Sequence, residues 1–538
     1  MRWFRKRDSN LAANRPYEIG AQWPDPLFSD TEKRQYPDKG QVTSGQVPSA
    51  SRKDPNWIGL LRQYGRSITV DLGEPCHIED VQVAMLEDGA AGIFLPDSVH
   101  AYASIDGKSW RRLGSVDSPP PKNEALVGKA LTQTFVITCD ANARYVRLQC
   151  VAKVFLFVGG LSVHGEPDKS STRMDGYDLV SLMGRNYLVD PATYTQPSPD
   201  MRLKLTHETL MDFHHMQLVY SGLEQPLGTW TVDDFWPMVV GLDENKRPVR
   251  HLFDAALFLP QGKMKTSASA WRNWLSHLFA QSAQLAALDE AVARANDALG
   301  TPDHRVTVVL TLPGTNANPG EFGSITDGRP SLNFNPQTIG YKKATEQKAE
   351  ALLWFMRLIL AEFSSAALPH LRLGGFYWQP ESVNVTNPYD TLLIRQIADA
   401  IHAENQRFYW IPIYGAAGFT DAASLGFDGV ILQPNAAFHP EVNTEQRVEL
   451  ACALAEAYGA GLEMELHWDV LSADRDTAEG AKQRYVTYLQ TVARHPYART
   501  AIKAYYLGSK TLVECWRKEN PVAHSVYEAT ESFISQSR

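Results

Sequence analysis

The segment Gly461-Leu462-Glu463-Met464-Glu465-Leu466-His467-Trp468-Asp469 sets two carboxylates and an imidazole at alternate positions, with Met464 and Leu466 between them. In an extended strand alternate side chains share one face, so Glu463, Glu465 and His467 are expected to point the same way. A further acid follows the aromatic run Gly375-Phe376-Tyr377-Trp378-Gln379-Pro380-Glu381-Ser382, which leaves Glu381 just past the end of a strand. An ionised carboxylate without partners inside a protein costs several kcal/mol, so acids in such places are paired or do chemistry. Two carboxyls are the equipment of glycoside hydrolysis: one protonates the leaving oxygen, the other attacks the anomeric carbon or activates water. On this reading Glu381 and Glu465 are the pair that carries the reaction. Glu463, deeper in its strand, reads as a layer residue hydrogen-bonded to a basic neighbour and is the runner-up nucleophile. The bland alternative makes Glu381 a surface acid and Glu465 a salt-bridged core residue.

Both acids need a scaffold that brings separate strand ends together. From residue 212 onward apolar strand-like runs recur at 215–220, 255–259, 306–312, 375–378, 408–414, 429–433, 461–466 and 502–507. Between them lie helix patterns at about 268–299, 343–364, 389–404, 418–425, 443–458, 477–494 and 521–535. Continuous apolar strands separated by helices predict parallel strands covered outside, and eight such units predict a (β/α)8 TIM barrel. Pro412 then has to sit at an irregular point of its run. An open doubly wound sheet is the rival architecture, but no Gly-rich phosphate loop follows any strand.

Chemistry in such a barrel belongs at the carboxyl ends of the strands. Tyr220, Trp378, Tyr414, Gln433, Asn435, His467, Trp468 and Tyr506 fall there and are the candidate substrate-binding residues, since a pyranose offers an apolar face and a rim of hydroxyls. His467 could instead orient a carboxylate or be a satisfied core histidine. Adjacent His214 and His215 face opposite sides of a strand and cannot chelate together, and neither HExxH nor GxSxG occurs. His439, His467 and Asp469 are the one imaginable ligand set. No metal and no cofactor are expected. Asp254, near the start of its strand, reads as structural.

Upstream of a polar stretch at Gly165-Glu166-Pro167-Asp168-Lys169-Ser170 the pattern changes to short alternating strands, such as Ser67–Gly73, Ile78–Val83, Val99–Ser104, Thr134–Thr138 and Arg144–Leu148. Asp106-Gly107-Lys108-Ser109 sits where a hairpin would reverse. These features predict a β-sandwich or jelly roll over residues 1–165, a linker at 166–175 and the barrel over 176–538. Trp23, Phe28, Tyr36, Trp57, Phe94, Phe155 and Phe157 are aromatic residues that could stack on a sugar or belong to the core. Across the 538 residues, 52 basic against 61 acidic side chains and a net charge of −9 argue against nucleic acid as a partner. The charged start, Met1 to Asp8, is followed by no apolar run, so no signal peptide is visible and the chain reads as cytoplasmic unless exported by another route. No segment reads as membrane-inserting. Five widely spaced cysteines without a CxxC pattern read as buried free thiols. Oligomeric state is left open.

The ordered set of a VDLG strand, the LPDSVHAYASIDGKSW hairpin, an ARYVRL strand and a closing VHG resembles the discoidin, or coagulation-factor type C, family of carbohydrate-binding modules over about residues 17–165. That resemblance implies loops that hold sugar. Gly160 and Ser162 stand where the family often has an acid for structural calcium. The motifs LFDAALFLP, GFYWQPESVN, ILQPNAAF and GLEMELHWD resemble a bacterial family catalogued as domain of unknown function 4855, over about residues 175–537. An acid after the fourth strand and another on the seventh resembles clan A glycoside hydrolases, which implies Glu381 as general acid/base and Glu465 as nucleophile, although Pro380 stands where that clan usually has Asn. The match to domain of unknown function 4855 implies a carbohydrate-acting barrel and leaves the mechanism to the acid pair, on which the expectation is a polysaccharide-degrading hydrolase, retaining and endo-acting, with an oligo- or polysaccharide as partner. Retention requires carboxyls ~5–5.5 Å apart and inversion ~6.5–9.5 Å. Two alternatives stay open: a non-catalytic carbohydrate-binding protein on a degenerate barrel, and a polysaccharide lyase or transferase.

Overall fold

Alternating apolar and polar residues in the first part of the chain pair into antiparallel strands, and continuous apolar runs in the second close into a parallel barrel. The computed structural model describes residues 10–21, 26–63, 66–96, 98–118, 129–150, 152, 154–168, 180–181, 213–222, 228–243, 245, 247–262, 264–383, 388–518 and 520–537. Two compact units result: Met1–Pro199 with Asn384–Pro388 and Gly415–Gly418, and Asp200–Val383 with Tyr389–Tyr414 and Phe419–Arg538.

The first unit contains β1 (Tyr17–Gly20), β2 (Ile58–Leu61), β3 (Arg66–Glu87), β4 (Ser98–Ser104), β5 (Ser109–Asp117), β6 (Leu131–Cys150), β7 (Phe155–Pro167) and β8 (Val180–Ser181). Its sheet order is β2-β7-β3-β6-β4-β5-β8, with β1 on β3. The register between β3 and β6 slips between Asp71 and Cys76. β4 pairs only with residues 145–149 of β6, and β7 only with residues 76–86 of β3. The two long strands therefore bend from one layer into the other, as irregularities in a ladder allow. Ile68, Val70, Val83, Val99, Phe135, Leu148 and Val163 fill the core. The β4–β5 hairpin turns where expected: Asp106 Oδ1 accepts from the amides of Lys108 and Ser109 at 2.8 Å each, and Gly107 adopts φ +71°. Trp57, Phe94 and Phe157 are buried, and Tyr36 meets the edges of Phe155 and Phe157 at 5.6 and 4.7 Å, so this aromatic group is largely core. Trp23 lies outside the described residues. The expected linker begins inside β7, whose last residue is Pro167, and residues 169–175 lie outside the described residues.

The barrel strands are β9 (His215–Ser221), β12 (Ala255–Pro260), β13 (Val306–Leu312), β14 (Leu371–Trp378), β15 (Arg407–Trp410), β16 (Gly429–Leu432), β17 (Gly461–Glu465) and β18 (Lys503–Tyr506). They close in that order, all parallel, with β18 returning to β9. An antiparallel pair, β10 (Val240–Leu242) and β11 (Pro248–His251), precedes β12. At the amino-terminal end Asp254 accepts from the amides of His214 at 3.1 Å and His215 at 2.8 Å, which ties the start of β12 to β9. β15 stops at Trp410, two residues before Pro412. The expected 268–299 helix is two, Ala268–Leu278 and Leu285–Leu299, and the expected 418–425 helix is only a 3-10 turn at Phe419–Asp421. All five cysteines are free, and all but Cys139 are buried. No helix among the described residues is long and apolar enough to cross a membrane.

Candidate active site at the carboxyl mouth of the barrel

β14 carries one residue more than its neighbour. Leu373 pairs with Val308 and Gly375 with Val309, so Gly374 is an inserted bulge. A Cβ on Gly375, at φ +144°, would lie 2.2 Å from the Arg407 carbonyl oxygen, which explains glycine there. The bulge resets which side chains face inward. Tyr377 looks toward Glu381 and Glu463, whose charges raise its phenol after burial has already done so. Trp378 turns the other way, edge-on to Phe408 at 6.1 Å, in an outer aromatic layer with Trp410 and Phe427. Trp378 was expected in the site; its ring packs against Phe408 instead, and Tyr377 takes the place facing the acids.

The segment after β14 is pinned from both sides. Gln379 accepts from the Gly314 amide at 2.9 Å, the Trp410 indole donates to the Pro380 carbonyl at 2.7 Å, and the Ile413 amide donates to the Glu381 carbonyl at 3.2 Å. Glu381 itself is exposed as a residue, yet its carboxyl end sits among the atoms of the mouth. That crowding pushes its pKa above the ordinary carboxylate range, opposed by a hydrogen bond from Gln433. Gln433 is held in turn by its Nε2 donating to the Ile411 carbonyl at 3.0 Å.

On β17, Glu463 and Glu465 are 3 % and 1 % exposed. Glu465 is enclosed by the loop after β16: the amides of Asn435 and Ala436 donate to its two oxygens at 3.0 and 3.2 Å, and the Tyr488 hydroxyl from the helix Arg475–Arg494 donates as well. Asn435, at φ +53°, curls the backbone so that these amides converge. Arg447 and Arg484 hold the same loop from behind by donating to the carbonyls of Pro434 and Ala437 at 3.2 and 3.1 Å. Burial raises Glu465, and these donors hold it back toward the ionised form. Glu463 lacks such help. No basic neighbour pairs with it among the described residues, contrary to expectation. Burial first, then repulsion from Glu465 and Glu381, push it well above the ordinary range. Glu463 in turn raises the phenols of Tyr220 and Tyr506, each already raised by burial. Glu463, rather than Glu465, is thus the acid at the centre of the group formed with Glu381, Tyr220, Tyr377 and Tyr506.

The strand alternation expected to carry His467 inward stops at Glu465. His467 begins a 3-10 turn, Trp468–Leu471, with Nδ1 accepting from the Asp469 amide at 3.1 Å. Its ring packs against Trp468 at 4.3 Å and Phe438 at 5.1 Å, and burial lowers its pKa while Asp469 opposes. Phe438 continues edge-on to Tyr506 at 5.4 Å, and Tyr506 to Tyr220 at 5.7 Å. An aromatic wall therefore runs from the inner Tyr220 to Trp468, which is 52 % exposed. Phe438 had no alternating strand to signal it, being six residues past β16. Tyr414, expected at the site, is 1 % exposed beneath the Arg447 guanidinium at 4.5 Å and serves packing. Asn435 contributes its backbone amide to Glu465. Among the described residues no group of three or more His, Cys, Asp or Glu is placed to hold a metal ion; His439 pairs with Glu441 at 3.0 Å.

A closed parallel barrel with carboxyls from its fourth and seventh strands at the carboxyl mouth defines a TIM-barrel protein with an acidic, aromatic-walled site. The chain belongs to the family described as Domain of unknown function (DUF4855), which matches residues 215–532, from the first barrel strand into the last helix. No curated protein matches the chain. Among solved structures, the N-terminal region is similar to three sugar-binding modules. Chitosan-binding module 1 of a chitosanase/glucanase from Paenibacillus sp. IK-5 is 15% identical, over 29% of this chain and 99% of that one, at TM-score 0.20. A fucose binding module of Streptococcus pneumoniae is 13% identical, over 30% and 99%, at TM-score 0.22. The lectin domain of lectinolysin complexed with Lewis B antigen is 17% identical, over 29% and 97%, at TM-score 0.21.

Proposed function

We propose that the barrel is a glycoside hydrolase acting on a polysaccharide, with the sandwich unit as a carbohydrate-binding module. The observation that carries the reading is the meeting of Glu381 and Glu463 at the mouth, beside an aromatic wall that ends on exposed Trp468. Glu381, raised by its surroundings and steadied by Gln433, is the group that gives its proton to the glycosidic oxygen as the C1–O bond breaks. Glu463, in its ionised form, attacks C1 or takes a proton from the water that does. This exchanges the roles drawn from sequence for the two β17 acids: Glu465, with both oxygens occupied by amides and a phenol, is a fixed neighbour that keeps the segment in place. Tyr220, Tyr377 and Tyr506 face the reacting carbon, and Tyr506, Phe438, His467 and Trp468 lead the chain of sugars outward. The test is product release from a polysaccharide panel by wild type, Glu381→Gln, Glu463→Gln and Glu465→Gln, with proton NMR of the released anomer to assign retention or inversion. Full turnover in Glu381→Gln or in Glu463→Gln overturns the pairing. A product with an unsaturated sugar, absorbing in the ultraviolet, assigns a lyase instead.

A further inference from the structure

The mouth is rich in groups that accept hydrogen bonds and poor in charge to balance them. Glu381, Glu463 and Glu465 form no ion pair among the described residues, and the repulsion between them is felt by Tyr220, Tyr377 and Tyr506 alike. The arginines behind the site, Arg447 and Arg484, point to the carbonyls of Pro434 and Ala437 and so brace the loop without neutralising the acids. A second observation concerns a phenol beside the carboxylates. Tyr377 is 4 % exposed, lies close enough to Glu381 and Glu463 for their charges to raise its phenol, and forms no hydrogen bond through its hydroxyl among the described residues. A hydroxyl on a buried ring that is neither enclosed nor bonded within the protein opens into the mouth, where a ligand can reach it.

Chemistry selects the ligand. A uronic acid would add like charge to a cleft already lined with one sign. A neutral sugar offers hydroxyls but no charge. A protonated amine offers three N–H donors and a positive charge, which suits a carboxyl flanked by phenol oxygens. We propose that the site takes an amino sugar with a free, protonated amine, a hexosamine unit without its acyl group, with the ammonium held beside Glu463 and Tyr377. The inference rests on the proposed hydrolase site and names its substrate class. It also accounts for Glu463: a cation arriving next to a carboxyl favours its ionised form, the form that can attack or accept a proton.

The test compares each amine with its hydroxyl parent: glucosamine with glucose, galactosamine with galactose, and chitotetraose with cellotetraose, with tetragalacturonate as the anionic control. Binding is followed by calorimetry and ligand-observed NMR near pH 5.5, on wild type and on Glu381→Gln so that cleavage does not obscure affinity. The expected result is a preference of ~10-fold or more for at least one amine over its parent, shrinking several-fold in about 0.5 M sodium chloride. The same preference is expected to fall toward equality in Glu463→Gln, and binding to weaken in Tyr377→Phe with circular dichroism unchanged. Equal or tighter binding of the neutral parent in every pair, or of tetragalacturonate, overturns the proposal. Amine preference with no turnover of any amino-sugar polymer sinks the hydrolase reading and leaves this one standing; turnover of neutral polymers only does the reverse.

Discussion

At the residue scale, the two acids of β17 differ in one respect, the donors that reach them. Glu465 accepts from two amides and the Tyr488 hydroxyl, while Glu463 has burial and two like charges around it. Loss of Glu381 or Glu463 as a proton carrier or attacking group is expected to lower kcat by ~10²–10⁴ in the Gln variants, measured at saturating substrate. Stability separates the acids as well. A carboxyl raised above its unfolded value binds more protons folded than unfolded between the two values, so its contribution to stability falls as pH rises through that range. Glu463→Gln removes this loss, so thermal unfolding of the variant is expected ~2 °C or more above wild type near pH 8, with the gap closing near pH 4. The opposite ordering near pH 8 would mean that Glu463 is ionised and well paired. Glu381, Glu463 and Glu465 were legible in the sequence because acids at strand ends stand out from apolar runs. Which β17 acid is satisfied was not, since the donors to Glu465 come from the loop after β16 and from a helix twenty-three residues away in sequence.

At the element scale, β14 shows why aromatic residues near a strand end are ambiguous. The inserted Gly374 shifts the alternation, so Tyr377 faces the acids and Trp378 the outer layer. Both sit in the motif, and only the pairing with β13 tells them apart. Gly375→Ala drives a Cβ into the Arg407 carbonyl and is expected to cost about 1–3 kcal/mol or more, read as a lower denaturant midpoint. Gly480→Ala, within the helix Arg475–Arg494 and with nothing nearer than 3.7 Å, is expected to gain ~0.5–1 kcal/mol. A smaller loss for Gly375→Ala than the gain for Gly480→Ala would contradict the bulge. The 3-10 turn after β17 makes its own prediction. Because Trp468 is exposed and braced by His467 and Phe438, Trp468→Ala is expected to raise KM for a polymer several-fold while kcat holds within about a factor of two. A fall in kcat at unchanged KM would move Trp468 out of the binding surface.

At the scale of the whole molecule, the barrel was legible because parallel strands buried on both faces leave continuous apolar runs, and all eight were visible. The sandwich was legible from its turns, though its long strands, β3 and β6, read as separate short ones because the slip at Asp71 to Cys76 interrupts their alternation. Helices were harder: Val232–Val239 contains Pro237, and Thr511–Arg517 is too short for a clear period. A family assignment that covers the barrel without an activity leaves the chemistry to the site. The measurement that tests it most directly is the release of reducing sugar from amino-sugar and neutral polysaccharides by wild type beside Glu381→Gln and Glu463→Gln. Release by wild type and near-complete loss in both variants, each still folded by circular dichroism, is the expected result. Release that survives in either variant, or sugar binding by wild type with no cleavage of any polymer, would contradict it.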